Sequence, residues 1–435
     1  MKEFFMKKVI PLVNKFSNLK GVVALKDGMT AILSATVVGS VFLLIAEFPY
    51  TPIKEALANM GISFYLYQVF NSTFNVLALI CVATISYYYA RNDKVDPIGN
   101  IVTSIMAFLI LSDQFVIDGG KKVEGVLSLA NILSSRGMIA AIIVSLVSSY
   151  IYCLFIHKKI TIKMPDSVPL GVQNSFAALI PSFFILTLSI IIYAIIHVVS
   201  NGDLVDCVYH LVQVPLMNLT DSLGGVIVIG FITSLLWWFG IHGSNVVGGV
   251  MTGIWLSAVS TNLDIVKSGK ALTIANGGHI VTYQFNSCFV TVTGAGITMG
   301  MVLTMLFRAK SEQYKQIGRL SIIPAIFNIN EPVLFGVPIV YNPILFIPFV
   351  LVPVISSIVS YLAIKSGLVP LFGGVNPPWT TPPIISGLIS GGPRTALLQV
   401  VIIIISVAIY APFLISLDRQ AYKKEQGEKG EKNEL

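Results

Sequence analysis

Four long tracts of this chain, 222–263, 271–307, 366–393 and 395–417, contain no Asp, Glu, Lys or Arg. Each is near or beyond the ~20 residues that cross a bilayer as a helix. Of the 435 residues only 11% are charged and 55% are hydrophobic, whereas a soluble domain carries about a quarter charged residues. A soluble enzyme is thereby excluded, and the chain reads as an all-α polytopic membrane protein. The formal net charge of +7 sits mostly on loop and terminal lysines, which is an orientation signal for a membrane protein and calls for no nucleic acid.

The start, "MKEFFMKKVIPLVNKFSNLKGVVALKDG", interleaves apolar residues with lysines and lacks the continuous apolar core of a secretory signal. Residues 1–27 are expected to form an amphipathic helix on the cytoplasmic face. Spans are expected near 28–48, 67–90, 97–117, 131–156 and 175–199, with basic connections at 91–96 and 157–166. The positive-inside rule puts those connections and both termini in the cytoplasm, and the loop 200–222, free of Lys and Arg, outside. Lys121 and Lys122 go against this scheme. In the second half, spans near 223–240, 243–260, 283–307, 343–364 and 395–417 flank a basic cytoplasmic segment at 308–319. Two apolar pieces rich in Pro and Gly, 324–338 and 368–393, read as re-entrant hairpins, because non-helical backbone at membrane depth must line protein or a water-filled cavity. The expectation is about ten spans plus re-entrant elements. The expected layout is an N-terminal bundle over 28–160 that continues into 175–199, a linker at 161–182, a C-terminal transport domain over 183–417, and a charged, disordered tail at 418–435.

Glu331 is the one acid between Glu312 and Asp418. An ionised carboxylate in the hydrocarbon region is costly, so intramembrane acids usually face a cavity and act there. Pro332 disfavours helix at Glu331, and Asn328 and Asn330 flank it with amides that bind hydroxyls or freed backbone groups. A structural ion pair is the competing role. "LLWWFGIHGSN" (235–245) offers Trp237 and Trp238, whose rings stack on sugar faces or form an interfacial belt, and His242, which hydrogen-bonds a hydroxyl. "ANGGHIVTYQFN" (275–286) supplies His279, Gln284 and Asn286, for a ligand or for helix–helix bonds. "GGVNPPWTTPP" (373–383) cannot be regular helix and presents Trp379 as a pocket wall or a rigid brace. Neither the four cysteines nor the five histidines form a metal or redox constellation, so no metal and no cofactor is expected. Aromatic faces, amides and one carboxylate without a cationic cluster suit a neutral polyol, and broken helices at a midplane site are a transporter device.

"NINEPVLFGVPIVYNP" (328–343) resembles the Asn-x-Asn-Glu-Pro signature of the membrane subunit, enzyme IIC, of bacterial phosphotransferase-system sugar permeases. "MPDSVPLGVQNSFAALIP" (164–181) and the Lys-rich start ending in "ALKDG" resemble its lactose/cellobiose/diacetylchitobiose branch. The resemblance implies a homodimer in the bacterial plasma membrane, joined through the N-terminal half. It implies a C-terminal half that carries a β-linked disaccharide by alternating access. The sugar's 6-hydroxyl would be phosphorylated by a phosphocysteine of a separate enzyme IIB, itself charged by enzyme IIA, so that no residue of this chain is phosphorylated. It maps the catalytic roles onto Glu331 and His242, and sugar contacts onto both of these, Trp237, Trp379, His279, Asn286 and Asn330. The competing class is a proton-coupled sugar symporter, with Glu331 and His242 as a proton relay.

Overall fold

The computed structural model describes residues 15, 18–46, 51–119, 121–200, 202–240, 242–337 and 339–433. Most of the amphipathic segment expected at 1–27 lies outside the described residues; from Lys20 onward the chain is already helical. Two compact units are present, Met1–Asn218 with Gly248–Ser260, and Leu219–Val247 with Thr261–Leu435.

The first unit is built on five longer helices: α1 (Lys20–Ala46), α2 (Leu77–Asn92), α3 (Pro97–Ile110), α4 (Met138–His157) and α5 (Leu179–Ser200). The start of α3 is written locally, with Pro97 in the first turn and the Asp96 carboxylate accepting the Gly99 N–H. Apolar attraction cannot select partners among helices bathed in lipid, so small polar residues do. Buried Asn100 donates to the Ser86 carbonyl and the Ser149 hydroxyl, both at 2.8 Å, joining α3 to α2 and α4. Ser104 and Ser148 meet at 2.7 Å, and Thr103 meets Ser182 of α5 at 2.6 Å. The outward side of α5, with Phe183, Ile191, Ile195 and Val198 exposed, is apolar, as a lipid-facing surface must be. Lys121 and Lys122, which resist the charge rule, sit in an unforeseen two-stranded hairpin, Phe115–Asp118 with Lys121–Glu124.

At the ends of α1, α2 and α4, Asp93 accepts hydrogen bonds from Lys20 and from His157 Nε2, the latter at 2.9 Å. Burial pushes the Asp93 carboxyl upward, but these two bonds and the charges behind them outweigh it and hold the group below the usual carboxylate range. A depressed folded-state value means stability that is present above the ordinary carboxylate pKa of about 3.9 and lost as pH falls through the depressed value. Asp93→Asn should therefore unfold at lower temperature than the parent at pH 5 and above, with the gap shrinking as pH falls below the ordinary carboxylate range. Thermal unfolding of the detergent-solubilised pair checks this, and a gap that stays constant on acidification would remove the Asp93 charge as its source.

The second unit contains α6 (Leu223–Trp238), the two ends of α7 (Gly243–Lys267), α8 (Met299–Arg308), α9 (Glu312–Ile326), α10 (Glu331–Gly336), α11 (Pro343–Lys365), α12 (Ile385–Gly391) and α13 (Pro393–Asn433). Among the described residues five helices are long and apolar enough to cross a membrane, and six if Leu204–Thr220 and α6, bent by 80°, are one broken span. The expected crossings are thus not all uninterrupted helices. The piece at 283–307 is Tyr283–Phe285, a wide turn over Asn286–Val290, an irregular stretch and then α8. The irregular stretch survives because side chains serve its carbonyls: Ser406 donates to Ile297 at 2.6 Å, Tyr410 to Gly296 at 2.7 Å and Asn330 to Ala295 at 2.6 Å. The basic segment at 308–319 is mostly the first half of α9, and the tail expected to be disordered from 418 continues α13 as helix to Asn433. Its carboxylates explain this: Asp418 and Glu425 accept the free N–H groups at the start of α9.

Candidate functional site

Glu331 opens α10, with Pro332 beside it in the first turn. The chain reaches it through a sharp reversal in which Asn328 adopts φ +62°, a left-handed conformation that Asn tolerates better than other residues with a side chain. Asn328 is fully engaged: its Oδ1 accepts the Thr293 N–H at 2.7 Å, and its Nδ2 donates to the carbonyls of Trp379 at 2.7 Å and Thr381 at 2.9 Å. Buried Asn330 donates to Ala295, and Gly294 makes room for it: a Cβ on Gly294 would lie 2.4 Å from the Asn330 amide carbon. Both asparagines thus hold backbone, while the half-buried Glu331 carboxylate makes no hydrogen bond or ion pair among the described residues. Among the described residues, the structural ion pair that sequence alone left open is not formed.

The loop 372–381 has few internal bonds, and three amide side chains fix it from outside. Asn262 donates to the Phe372 carbonyl at 3.0 Å, Gln284 to Val375 at 3.0 Å and Asn328 to Trp379 and Thr381. This holds Trp379 by its main chain and leaves its ring half exposed. It also ties the Glu331 reversal to the segment carrying His279, Gln284 and Asn286. Asn262 grips His279 as well, accepting its N–H at 2.7 Å and donating to its carbonyl at 2.9 Å. The His279 ring meets Asp221 through Nδ1 at 2.9 Å, and Asp221 also accepts the N–H groups of Ile280 and Val281. The carboxylate therefore fixes both the ring and the loop behind it. Asn286 is half buried and its carbonyl accepts from Thr291, closing the wide turn.

Trp237 and His242 lie together, ring centroids 4.2 Å apart at 47°. His242 caps α7: its Nδ1 accepts the Asn245 N–H at 3.2 Å, which places the proton of the neutral ring on Nε2. The neighbouring corner requires glycine, because a Cβ on Gly243 would sit 2.0 Å from the Thr233 carbonyl oxygen. Trp237 is buried and bonds Ser244, whereas Trp238 turns the other way. It donates to the Asn342 carbonyl at 2.9 Å and packs against Phe346 and Tyr341. The segment that follows α10 is thereby attached to the His242 corner.

The loop 372–381 carries Trp379, meets the reversal before Glu331 through Asn328 and meets His279 through Asn262, while Asn330 holds Ala295 and Asn286 closes its own turn; Trp237 and His242 form a separate pair. Sequence reasoning missed Asp221 and Asn262. Asp221 is the last charge before the long neutral tract, a signal that marks a boundary but names no partner. No His/Cys/Asp/Glu group able to hold a metal is present among the described residues. The arrangement offers a carboxylate, a donor imidazole and aromatic faces, which is chemistry for hydroxyl groups.

The sequence pattern of the family described as "Phosphotransferase system, EIIC" matches residues 26–353. The chain is 36% identical to the lichenan permease IIC component of Bacillus subtilis (strain 168), over 96% of this chain and 94% of that one. It is 37% identical to the cellobiose-specific EIIC component of Geobacillus stearothermophilus, over 97% and 95%. The crystal structure of the transporter ChbC, the IIC component from the N,N'-diacetylchitobiose-specific phosphotransferase system, superposes with a TM-score of 0.92 at 37% identity, covering 98% of this chain and 99% of that one.

Proposed function

Because the chain belongs to the EIIC family of the phosphotransferase system, a family of membrane sugar permeases, we propose that it carries a β-linked disaccharide of the cellobiose or diacetylchitobiose type and presents its 6-hydroxyl to a phosphorylated enzyme IIB. The observation that carries this reading is the Glu331 carboxylate, half buried and without a partner among the described residues while both flanking asparagines are committed to backbone. The sugar class is supported by relatives that take cellobiose and lichenan by name and by the exposed Trp379 ring.

In the proposed step the 6-oxygen attacks the phosphorus of the phosphocysteine and the S–P bond breaks, with the electron pair leaving on sulfur. The hydroxyl proton passes to the Glu331 carboxylate. His242, whose Nδ1 is occupied as an acceptor, acts through Nε2–H as a hydrogen-bond donor to the sugar, with Trp237 behind it. The chain supplies position and desolvation rather than a nucleophile. His279, oriented by Asp221, and Asn286 complete the site, while Asn330, buried and bonded to the Ala295 carbonyl, holds the backbone beneath Glu331 rather than touching sugar. Alternating access and a homodimer through the first unit belong to the same proposal.

The test uses membrane vesicles containing the chain and radiolabelled cellobiose, with and without phosphorylated enzyme IIB. Sugar 6-phosphate that appears only with the phosphoryl donor supports the proposal. Free sugar that accumulates on a pH gradient alone would instead make this a symporter.

A further inference from the structure

The apolar run 395–417 of α13 is about 35 Å long at 1.5 Å per residue, enough to cover the hydrocarbon layer. The turns immediately beyond it carry Arg419, Gln420, Tyr422 and Lys423, all exposed. The acids at this level are turned inward. Asp418 is buried and accepts the Lys310 N–H at 2.8 Å, the Ser311 N–H at 3.0 Å and the Ser311 hydroxyl at 2.7 Å. One turn and more further on, Glu425 accepts the N–H groups of Glu312 and Gln313. This latch draws the α8–α9 connection against α13 and brings Lys310 beside Arg419 and Lys423. The three cations, with Gln420 and Tyr422, line an open pocket of about 210 Å³. None of the three is in an ion pair among the described residues. Apolar side chains on the adjoining helices, Phe307 of α8 and Leu320 and Ile323 of α9, are exposed.

We propose that this pocket binds the phosphate of an anionic phospholipid headgroup, with the acyl chains running along the exposed apolar residues of α8 and α9. The depth decides for a lipid over a soluble anion: the cations stand where the apolar run ends, at headgroup level, and a Tyr at that level is a common interfacial anchor. Basic pockets between spanning helices are a recurrent form of lipid headgroup site.

The experiment takes the full chain in nanodiscs of phosphatidylcholine with a minor fraction of phosphatidylglycerol, and reads lipid retained by the protein in native mass spectrometry. Lys310→Ala, Arg419→Ala and Lys423→Ala should each weaken phosphatidylglycerol retention about fivefold, and added salt should do the same, while Lys270→Ala leaves it unchanged. Excess inorganic phosphate should not displace the lipid. The unfolding temperature of each variant, expected to match the parent because these side chains pair with no carboxylate among the described residues, guards against a folding defect; Lys310→Gln and Lys423→Gln replace any alanine variant that fails it. Equal retention in all variants overturns the proposal. So does displacement by millimolar inorganic phosphate, which makes this a soluble-anion site. Unchanged retention with impaired phosphorylation by enzyme IIB also overturns it, and makes this a protein-docking face.

Discussion

Glu331→Gln should bind the sugar within a few-fold of the parent yet form sugar 6-phosphate about 10²- to 10⁴-fold more slowly, the range expected for losing a general base. The amide keeps the size and one oxygen acceptor of the carboxylate but has no useful affinity for a proton. The structure makes this substitution unusually clean. Asn328 and Asn330, not Glu331, hold the reversal together, and the Glu331 carboxylate has no partner among the described residues to be left unpaired. The unfolding temperature should therefore stay that of the parent, separating loss of chemistry from loss of fold. Equilibrium binding of labelled cellobiose, set beside sugar-phosphate formation with saturating phosphorylated enzyme IIB, gives both numbers. Parental turnover in the variant would show that the proton goes elsewhere, whereas lost binding with turnover in proportion would make Glu331 a ligand and no more.

Glu331 stands out in the sequence because a single carboxylate in a neutral tract has no local explanation. The membrane class was equally plain, because hydropathy reports burial in lipid directly. Hydropathy does not report whether buried backbone is helical, and the segment 283–307 shows why. Its apolar residues suit a span, yet Thr293 and Ile297 adopt positive φ and the carbonyls around them are served by Ser406, Tyr410 and Asn330. Two of those donors lie more than a hundred residues downstream. The same distance hides the Asp221–His279 pair, 58 residues apart, and the latch by which Asp418 and Glu425 order the end of α13. A charged tail reads as disordered when its carboxylates look free, and two of these, Asp418 and Glu425, are occupied by donors at another helix's N-terminus.

The amide that joins these distant pieces predicts the second large effect. Asn328→Ala removes the acceptor of the Thr293 N–H and the donor to both Trp379 and Thr381. Each buried backbone group left unpaired costs about 1–3 kcal/mol, less whatever water recovers, and alanine at φ +62° adds about 1–2 kcal/mol of its own. Some 3–5 kcal/mol should therefore be lost, concentrated on the Trp379 loop. If Trp379 stacks on the sugar, KM should rise by about 10- to 100-fold, while turnover at saturating sugar falls much less, because Glu331 is anchored separately through Asn330 and Pro332. Two further variants separate the contributions. Asn328→Gly relieves the backbone strain but restores no bond, and Asn328→Asp keeps the acceptor for Thr293 while losing both donors to the loop. If the anchoring of Trp379 is what matters, Asp and Gly should share the raised KM of Ala, and only Ala should carry the extra loss of thermal stability from its dihedral angle. A parental KM in Asn328→Asp would mean that the loop holds its shape without this amide, and the Trp379 wall would then have to be credited to Asn262 and Gln284 alone.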